Sequence, residues 1–410
     1  MSLDERAAGL DAVDPLAGEP AKFSLPDSTI YLDGNSLGPL PRHVPAVLQN
    51  VVEQQWGHDL ITSWNRHGWW EAPRRAGDRI GRLLGGAPGQ VVAGDSTSQQ
   101  LFSATVAAAR LNPGRRTVVI DPASFPTDLY VVASVAELLG LEVAQVEPSH
   151  LQHFLADRGS DVAVAVLCEV DFRTGERLDA PALTDALHQS GALVLWDLCH
   201  SAGALVVELD AWGADLAVGC GYKFLNGGPG APAWIYVAQR HQEQFRGAVA
   251  GWNGHARPFA FEAAYEPAPG VSRARVGTPA MLSLLSLDAA LDVYDGLDMV
   301  DVRARSVSLT GFFLECLAEL APDLEPVTPR EPERRGSQVS VRHASAYAVV
   351  QALLARGVIG DFREPDIARF GFSPLALTHV QVLRAARELA DVVATRAYAD
   401  PALAARTTVT

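Results

Sequence analysis

The 410-residue sequence contains very little lysine. Of its 33 basic side chains only two are lysines, Lys22 and Lys223, and the other 31 are arginines. The 48 acidic residues outnumber the basic ones and give a formal net charge of −15. A protein that binds nucleic acid needs a basic surface, so the composition argues against a nucleic-acid partner.

Long apolar runs are absent, and cysteines are few. No run reaches the roughly 18 residues of a membrane span, and the N-terminus, MSLDERAAGLDAVD, has neither the basic nor the apolar region of a secretory signal. No CxxC or HExxH spacing indicates a metal site. The four cysteines are too scattered for a disulfide framework: Cys168, Cys199, Cys220 and Cys316. These absences predict a cytoplasmic protein with no membrane partner and no metal.

Short apolar runs alternate with helical patterns through the middle of the chain. The runs predict buried strands at 115–122, 161–170, 192–197, 214–221 and 231–238, and the patterns between them predict helices that include 131–141 and 183–188. Continuous apolar strands separated by helices are typical of a parallel sheet covered on both faces. The middle of the chain therefore predicts an α/β domain.

The two ends of the chain have a different pattern. Helical patterns dominate after about residue 281, a strand is predicted at 338–343, and an amphipathic helix closes the chain at 379–397. A further helix is predicted at 44–56. We expect a large α/β domain over 66–285 and a smaller α+β domain built from 1–65 and 286–410.

Lys223 lies in the most informative segment, GCGYKFLNGGPG at 219–230. A lysine is usually a solvated surface charge. Here an apolar strand precedes it, and the glycines around it allow a ligand to approach the backbone closely. Nearly every other cation of the chain is an arginine, which cannot lose its proton and form an imine. A lysine retained in this context favours Schiff-base chemistry.

Schiff-base lysines commonly carry pyridoxal phosphate, which needs an acidic partner, a stacking ring and phosphate donors. Asp197 ends a predicted strand and is either that partner or the cap of the next helix. Thr97 and Ser98 begin a predicted helix, where they either bind phosphate or form an ordinary cap. Phe125 and Asp128 follow the strand at 115–122; they are either a stacking ring with a polar neighbour or a core aromatic with a turn residue.

Ten motifs make the sequence resemble kynureninase, a fold type I pyridoxal-phosphate enzyme, over nearly its whole length. They are YLDGNSLGPLP (31–41), SWNRHGWW (63–70), DSTSQQLF (95–102), SFPTD (124–128), VDFRTG (170–175), WDLCHSAGA (196–204), GCGYKFLNGGPGAP (219–232), GWNGHARPF (251–259), VGTPAMLSL (276–284) and ARFGFSPL (368–375). The segments GYKFLNGGPG and GWNGH distinguish this family from cysteine desulfurases, which share its fold. The resemblance implies an aspartate aminotransferase-like α/β fold, with a mostly parallel seven-stranded central sheet and a smaller α+β domain.

The resemblance also implies roles around pyridoxal 5'-phosphate. Lys223 would form the Schiff base, Asp197 would hold the pyridine nitrogen, and Phe125 would stack on the ring. The remaining cofactor residues would be Asp128, Cys168 and His200 along the cofactor, Thr97 and Ser98 at the phosphate, and Tyr222, Trp252 and Thr278 completing the phosphate pocket. Trp252 and Thr278 would reach the site across the interface of a homodimer, and Tyr222 would donate a proton.

Other residues would bind the amino-acid substrate. Arg369 would hold the substrate carboxylate as a bidentate pair. Asn35 and Ser36 would lie near the substrate, and its aryl side would meet Trp64, Trp252, Asn253 and His255. The implied reaction is hydrolytic cleavage of the Cβ–Cγ bond of L-kynurenine, in which water adds to the side-chain ketone and the products are anthranilate and L-alanine.

Three positions depart from the family pattern. Asn253 stands where an aromatic residue is usual, which exchanges a stacking surface for hydrogen-bonding capacity. Cys168 stands where a hydroxyl residue is usual, and Gly221 stands where threonine is common. Cofactor chemistry is therefore expected to be intact, while the ring of the substrate is open between plain kynurenine and a ring-substituted kynurenine of secondary metabolism. Trp64 favours kynurenine over 3-hydroxykynurenine.

Two other classes of function compete with this interpretation. A cysteine desulfurase or selenocysteine lyase needs a catalytic cysteine on a mobile loop of the C-terminal half. The one cysteine beyond the Lys223 segment, Cys316, lies in a predicted helix. A binding protein without activity would have lost Lys223 or its partners, and none of them is missing from the sequence.

Overall fold

The structure, a computed structural model, describes residues 1–406. Its strands are β1 Ile30–Tyr31, β2 Val91–Ala93, β3 Thr117–Ile120, β4 Glu142–Gln145, β5 Val162–Cys168, β6 Leu193–Asp197, β7 Leu216–Cys220, β8 Ala233–Val237, β9 Glu325–Pro326, β10 Gln338–Arg342, β11 Val358–Ile359, β12 Asp361–Arg363 and β13 Ile367–Gly371. Its α-helices are α1 Leu3–Val13, α2 Val44–Asn50, α3 Ser63–Arg66, α4 Ala72–Leu83, α5 Thr97–Leu111, α6 Pro126–Leu139, α7 Leu151–Arg158, α8 Ala180–Gln189, α9 Gln239–Gln242, α10 Met281–Ala290, α11 Met299–Leu320, α12 Ala346–Leu354 and α13 His379–Ala394.

A seven-stranded sheet with the order β2-β8-β7-β6-β5-β3-β4 forms the centre of the molecule. Only β8 runs against its neighbours in this sheet; the other adjacent pairs are parallel. The predicted mostly parallel α/β fold is therefore confirmed. The run at 231–238 does form a strand, but in the antiparallel direction, because the connection at 221–232 contains no crossover helix and returns the chain directly beside β7.

The helix predicted at 44–56 is interrupted. Only Val44–Asn50 is α-helical, and a π-helical turn follows at Val51–Trp56. The amide of Gly57 donates to the carbonyl oxygen of Val52 five residues earlier, at 2.9 Å, which widens the last turn.

The C-terminal part of the chain forms a second sheet. Its four antiparallel strands have the order β12-β13-β10-β9, and β1 from the N-terminal segment pairs with β11 in parallel. Helices α11, α12 and α13 pack against these strands, and α1 packs on α13. The predicted strand at 338–343 and closing helix at 379–397 are found as β10 and α13.

The core contains two large apolar clusters and a smaller one, which fills the other face of the central sheet under α5 and α6. The first surrounds one face of the central sheet and extends along the chain to Val302, so that helix α10 belongs to it. The second gathers α1, β1 and the chain from Leu309 to Val392. The domain division at 66 and 285 stays a prediction, since the packing carries the first cluster some way past 285.

The carboxyl ends of β5, β6 and β7 meet at one edge of the central sheet, beside the second sheet. Parallel strands of an open α/β sheet present their ligand sites at this edge. Within residues 1–406, no helix combines the length and the hydropathy that crossing a membrane demands.

Candidate active site

A cavity of about 630 Å³ opens where this edge meets the second sheet. Most of the predicted site residues line it: Asn35, Ser36, Thr97, Ser98, Phe125, Asp128, Cys168, Asp197, His200, Tyr222, Lys223 and Arg369. All but Cys168 come from six motifs that are far apart in the sequence. The fold therefore brings a lysine, buried carboxylates, a helix start and an arginine into one chamber.

Lys223 and Tyr222 lie just beyond β7, on the cavity wall. The carbonyl oxygen of Lys223 accepts a hydrogen bond from the amide of Asn226 at 2.8 Å, which closes a tight turn after the lysine. Asn226 itself has a φ of 60°. Burial, followed by the nearby Cys220 and Cys199, raises the pKa of Tyr222. Its phenol therefore stays protonated and can donate a hydrogen bond.

A buried acidic cluster lies near Lys223. Asp197, the last residue of β6, accepts a hydrogen bond from the amide of Cys199 at 2.7 Å through Oδ1, while its Oδ2 meets the thiol of Cys168 at 4.0 Å. The same thiol donates to Oδ2 of Asp128 at 3.0 Å. Burial and the charge of Asp197 raise the pKa of Asp128 well above its ordinary value.

This cluster suits a cationic ring nitrogen. The raised pKa favours the neutral form of Asp128. The carboxyl group of Asp197 is buried, and its neighbours on the Oδ2 side are the thiol of Cys168 at 4.0 Å and the carboxyl group of Asp128. A buried carboxylate needs a cationic partner. Among the described residues the cavity thus holds a fitting place for the pyridinium of pyridoxal phosphate.

The start of α5 suits a phosphate. The side chain of Ser96 caps this helix, with the side chain of Gln99 completing the capping box. Ser96 is therefore the cap of α5, and the alternative interpretation of Thr97 and Ser98 as caps is wrong. Oγ1 of Thr97 is buried without a hydrogen-bond partner among the described residues, and it lies where backbone amides and the helix dipole attract anions.

Phe125 and Phe172 form an aromatic wall. Their ring centroids are 5.2 Å apart in an edge-to-face arrangement, and Phe125 is 45% exposed. Phe125 is therefore not a core aromatic; one of its faces is available for stacking against a planar ligand.

Arg369, on the wall that the second sheet contributes, is already engaged. Its Nε donates to Oδ1 of Asp361 at 2.7 Å, its Nη1 to the carbonyl oxygen of Phe172 at 2.6 Å, and its Nη2 to Oγ of Ser36 at 2.8 Å. Asp361 also pairs with Nη2 of Arg363 at 2.6 Å. Because Asp361 holds the Nε–Nη2 edge, a substrate carboxylate would have to meet the Nη1–Nη2 edge.

The other predicted residues do not line this cavity in the same chain. Trp64, Trp70, Trp252 and Phe259 form an aromatic cluster, with ring centroids 6.4 Å apart between Trp64 and Trp70 and 5.6 Å apart between Trp70 and Trp252. Thr278 is exposed on the surface. The residues that the structure keeps away from Lys223 are Trp64, Trp252, Asn253, His255 and Thr278.

Asn253 and His255 lie outside the cavity. Both polar atoms of the Asn253 side chain are buried without a hydrogen-bond partner among the described residues. Asn253 is only 2% exposed, and its side chain borders a gap of about 20 Å³ shared with Arg275. Both ring nitrogens of His255 have backbone partners, the carbonyl oxygen of Ala264 at 3.1 Å and the amide of Arg257 at 2.8 Å. Neither side chain presents a free polar group to the cavity of its own chain.

The departures at Gly221 and Cys168 have structural explanations. A Cβ added at Gly221 would lie 2.5 Å from the carbonyl oxygen of Pro232 and 2.8 Å from Cδ2 of Leu287. This chain therefore has no room for the threonine that is common there. Cys168 donates its thiol hydrogen to Asp128, the role that a hydroxyl group would have there, and lies 4.0 Å from Oδ2 of Asp197.

Sequence reasoning missed several residues of the cavity and its surroundings. Arg363 and Phe172 line the cavity, and Asp361 and Gln338 hold residues that line it. Phe172 lies inside the motif VDFRTG. Asp361 and Arg363 lie in the run DFR, shortly before the motif ARFGFSPL. Gln338 starts a strand without any such signal.

Cys316 lies in the second apolar cluster and is fully buried. Burial raises the pKa of its thiol to about 11, so this cysteine is a poor nucleophile. The cysteine desulfurase interpretation thus lacks the mobile catalytic thiol that it requires.

Comparison with known proteins relates the chain to kynureninases. A family model described as "Kynureninase C-terminal domain" matches residues 302–389. The kynureninase of Deinococcus radiodurans is 51% identical over 393 residues, which cover 94% of this chain and 95% of that protein. The kynureninase of Burkholderia pseudomallei is 44% identical over 419 residues, covering all of both chains.

Solved structures with a similar fold are more distant in sequence. The cysteine desulfurase CsdA of Escherichia coli has a TM-score of 0.79 at 18% identity, covering 94% of this chain and 99% of its own. A C-DES mutant with glycine covalently linked to its PLP cofactor has a TM-score of 0.77 at 17% identity, covering 89% of this chain and 97% of its own. These likenesses show the fold.

Proposed function

The chain belongs to the kynureninase family, and from this premise we propose how its residues divide the work of the family reaction. The protein is a hydrolase that cleaves the Cβ–Cγ bond of kynurenine, and its cofactor is pyridoxal phosphate. The ring preference, the residue roles, the dimer and the cytoplasmic location are proposals.

The cavity residues would hold the cofactor at three points. Asp197 would face the pyridine nitrogen, Phe125 would stack on the ring, and Thr97 with Ser98 would bind the phosphate. Bound pyridoxal phosphate supplies a carbonyl that links to an amine, and a ring that takes up the electron pair of a neighbouring broken bond. Lys223 is the cavity lysine that would anchor the cofactor between turnovers. Its position beside Asp197 and the start of α5 is the observation that carries these roles.

Proton transfers would belong to the residues beyond β7. The amine of Lys223 would take the proton from Cα of the substrate and pass it to the bound cofactor. The phenol of Tyr222, which burial keeps protonated, would supply a proton to the carbon that becomes the methyl group of alanine. Water adds to the side-chain ketone, so the aryl part leaves as anthranilate.

Arg369 would orient the substrate through its carboxylate. The remaining Nη1–Nη2 edge can take both oxygens, provided that the carbonyl oxygen of Phe172 and the hydroxyl of Ser36 give up their bonds. Ser36 donates to Oδ2 of Asp361 at 2.8 Å, so it orients the arginine before substrate arrives. Asn35 lines the same wall.

We propose plain L-kynurenine as the preferred substrate, since Trp64 is the aryl residue typical of bacterial relatives that accept it. Steady-state kcat/KM on kynurenine, 3-hydroxykynurenine and ring-methylated kynurenines measures the preference. A higher kcat/KM on a substituted ring would assign the enzyme to a modified kynurenine instead. The variant Lys223→Ala should lose both the imine absorbance and anthranilate formation; a variant that retained them would contradict its role.

A homodimer would complete each cavity with aromatic residues of the second copy. Trp252, Phe259 and Phe261 are 40%, 67% and 86% exposed, which is unusual for adjacent large rings on a monomer surface. The resemblance assigns Trp252 and Thr278 to the cofactor pocket, although the cavity of their own chain excludes them. A second chain can bring both to it.

Mixing two inactive variants tests this dimer. A chain with Lys223→Ala and a chain with Trp252→Ala should regain about a quarter of the wild-type activity after random exchange of subunits, because half of the dimers are mixed and one of their two sites is intact. Each variant alone is the control. No gain in activity, with mixed dimers present by mass, would contradict a shared site.

A further inference from the structure

His200 and Gln338 meet on the wall of the cavity. Nδ1 of His200 lies 3.1 Å from Oε1 of Gln338, and both side chains are buried. Gln338 is the first residue of β10 in the second sheet, whereas His200 follows β6 of the central sheet. This contact joins the two sheets at the cavity, and Gln338 lies outside every motif described above.

The contacts of Gln338 fix the orientation of its amide. Its Nε2 lies 3.3 Å from the carbonyl oxygen of Phe172 and 3.5 Å from that of Asp171. Carbonyl oxygens only accept hydrogen bonds, so the amide must present its NH₂ group to them. Its oxygen therefore faces His200, and it also accepts a bond from Nδ2 of Asn35 at 3.1 Å.

Tight packing prevents the amide of Gln338 from moving. Gly175 has a φ of 75°, and a Cβ built on it would lie 2.6 Å from Cγ of Gln338. The side chain thus runs across a glycine that has no room for a larger residue. Because Gln338 is 1% exposed, water cannot replace its partners.

We propose that Gln338 is a positioning residue that holds His200 as the tautomer protonated on Nδ1, so that Nε2 presents a lone pair to the cavity. An acceptor oxygen opposite Nδ1 requires the proton on that nitrogen. Only the use of this lone pair rests on the proposed function. It would accept a hydrogen bond from a hydroxyl group of the bound cofactor or substrate.

The surroundings of His200 keep its ring neutral. Burial lowers the pKa of His200 well below its ordinary value, and the positive charges of Lys223, Arg369 and Arg363 add to the effect. Lys223 acts on the ring from the turn after β7, Arg369 from β13 and Arg363 from β12. A neutral imidazole has one N–H and one lone pair, so its tautomer decides which nitrogen can accept a proton.

Nitrogen NMR of the holoenzyme labelled with ¹⁵N-histidine tests the tautomer directly. His200→Gln identifies the His200 signals by their loss. In the wild type we expect a protonated-type shift for Nδ1 and an unprotonated-type shift for Nε2, unchanged between pH 6 and 9. An unprotonated Nδ1, or a doubly protonated ring, would overturn the proposal whether or not the enzyme cleaves kynurenine.

Variants of Gln338 separate positioning from packing. Gln338→Leu removes the acceptor, and the tautomers of His200 should mix; Gln338→Glu retains an acceptor and should restore the Nδ1–H form. Ser340→Ala is the control, because Ser340 is buried on the same strand and donates to the carbonyl oxygen of Arg173. This control should leave the His200 signals unchanged.

The pH profile supplies a second measurement. In Gln338→Leu, kcat/KM should fall about tenfold, as when a histidine loses its orienting partner elsewhere, and the pH dependence of the visible imine absorbance should shift. Gln338→Glu should recover part of the rate while raising the pKa of His200 through its carboxylate. If kcat/KM fell equally in Gln338→Leu and Gln338→Glu and the tautomer of His200 stayed the same, Gln338 would act only through packing. That result would contradict the proposal.

Discussion

Asp33 is a residue whose protonation depends strongly on the fold. Burial, followed by the charge of Asp361, raises its pKa from 3.8 to about 7. The folded state therefore binds this proton more tightly than the unfolded state does. The stability linked to the proton is present below about pH 4 and is lost as the pH rises from about 4 to 7.

The variant Asp33→Asn should remove this pH dependence. Relative to the wild type, its free energy of unfolding should gain about 2 kcal/mol between pH 5 and pH 8, because the amide has no proton to lose. Urea denaturation at both pH values measures the difference, with Asp27→Asn on the exposed surface as control. A difference that stays constant with pH would contradict the raised pKa.

Gly221 offers a test of packing behind Lys223. In Gly221→Ala the new methyl group would overlap the carbonyl oxygen of Pro232, and the free energy of unfolding should fall by about 2 kcal/mol. Gly9→Ala is the control: it lies in α1 with open space around it, so it should be neutral or gain up to about 1 kcal/mol. Equal effects in both variants would contradict the close contact.

At the residue scale, the sequence predicts the groups with distinctive chemistry better than the groups that hold them. Lys223 and Asp197 follow apolar strands, and the sheet edge brings such positions together. Gln338 and Asp361 act on His200 and Arg369 through contacts between distant segments. Hydrophobic periodicity carries no information on such contacts, so these residues appear only in the structure.

Helix α1 is attached to the rest of the chain by ion pairs that differ in burial. The residue after it, Asp14, forms an ion pair with Nε of Arg305 at 2.7 Å, and both side chains are buried. Asp4, in the first turn of the same helix, pairs with Arg387 at 2.6 Å, but both side chains are exposed. The first pair attaches this segment to α11 in buried surroundings, and the second attaches it to α13 at the surface.

We expect Asp14→Ala to lower the free energy of unfolding by about 3 kcal/mol, since it leaves the Arg305 guanidinium buried without its partner. Asp4→Ala, the matched control, should cost less than about 1 kcal/mol, because exposed ion pairs contribute little. Chemical denaturation of both variants gives the comparison. If the two losses were equal, burial would not be what distinguishes these pairs.

Among the elements, long or strongly apolar segments follow their sequence patterns. The strands β3, β5, β6 and β7 fall inside the predicted runs, and α13 follows its amphipathic pattern. The three-residue β2 and the partly exposed β4 at the sheet edges have too little pattern to predict. The direction of β8 depends on which neighbour it pairs with, which an apolar run does not encode.

Across the whole molecule, both sheets contribute to one cavity. Lys223 and Asp197 come from the central sheet, and Arg363 and Arg369 come from the second sheet. A ligand that contacts both walls is expected to couple the unfolding of the two apolar clusters, because it binds the assembled state alone.

Removal of pyridoxal phosphate should therefore change the shape of the thermal transition. We expect calorimetry of the holoenzyme to show one transition and calorimetry of the apoenzyme to show an earlier one or two resolved ones. At a cofactor concentration a hundred times Kd the stabilisation is about 2.7 kcal/mol. Adding cofactor back is the control, and identical transitions for the two forms would contradict the coupling.

The placement of the two lysines has a practical consequence for handling the enzyme. Lys22 lies on the surface of the N-terminal segment and pairs with Glu19 at 2.6 Å, Met1 is also exposed, and Lys223 lies inside the cavity. With Lys223 protected by bound cofactor, an amine-reactive resin can couple only near the start of the chain. Immobilised molecules would all be tethered by the same short segment, which gives a uniform catalytic bed without engineered tags.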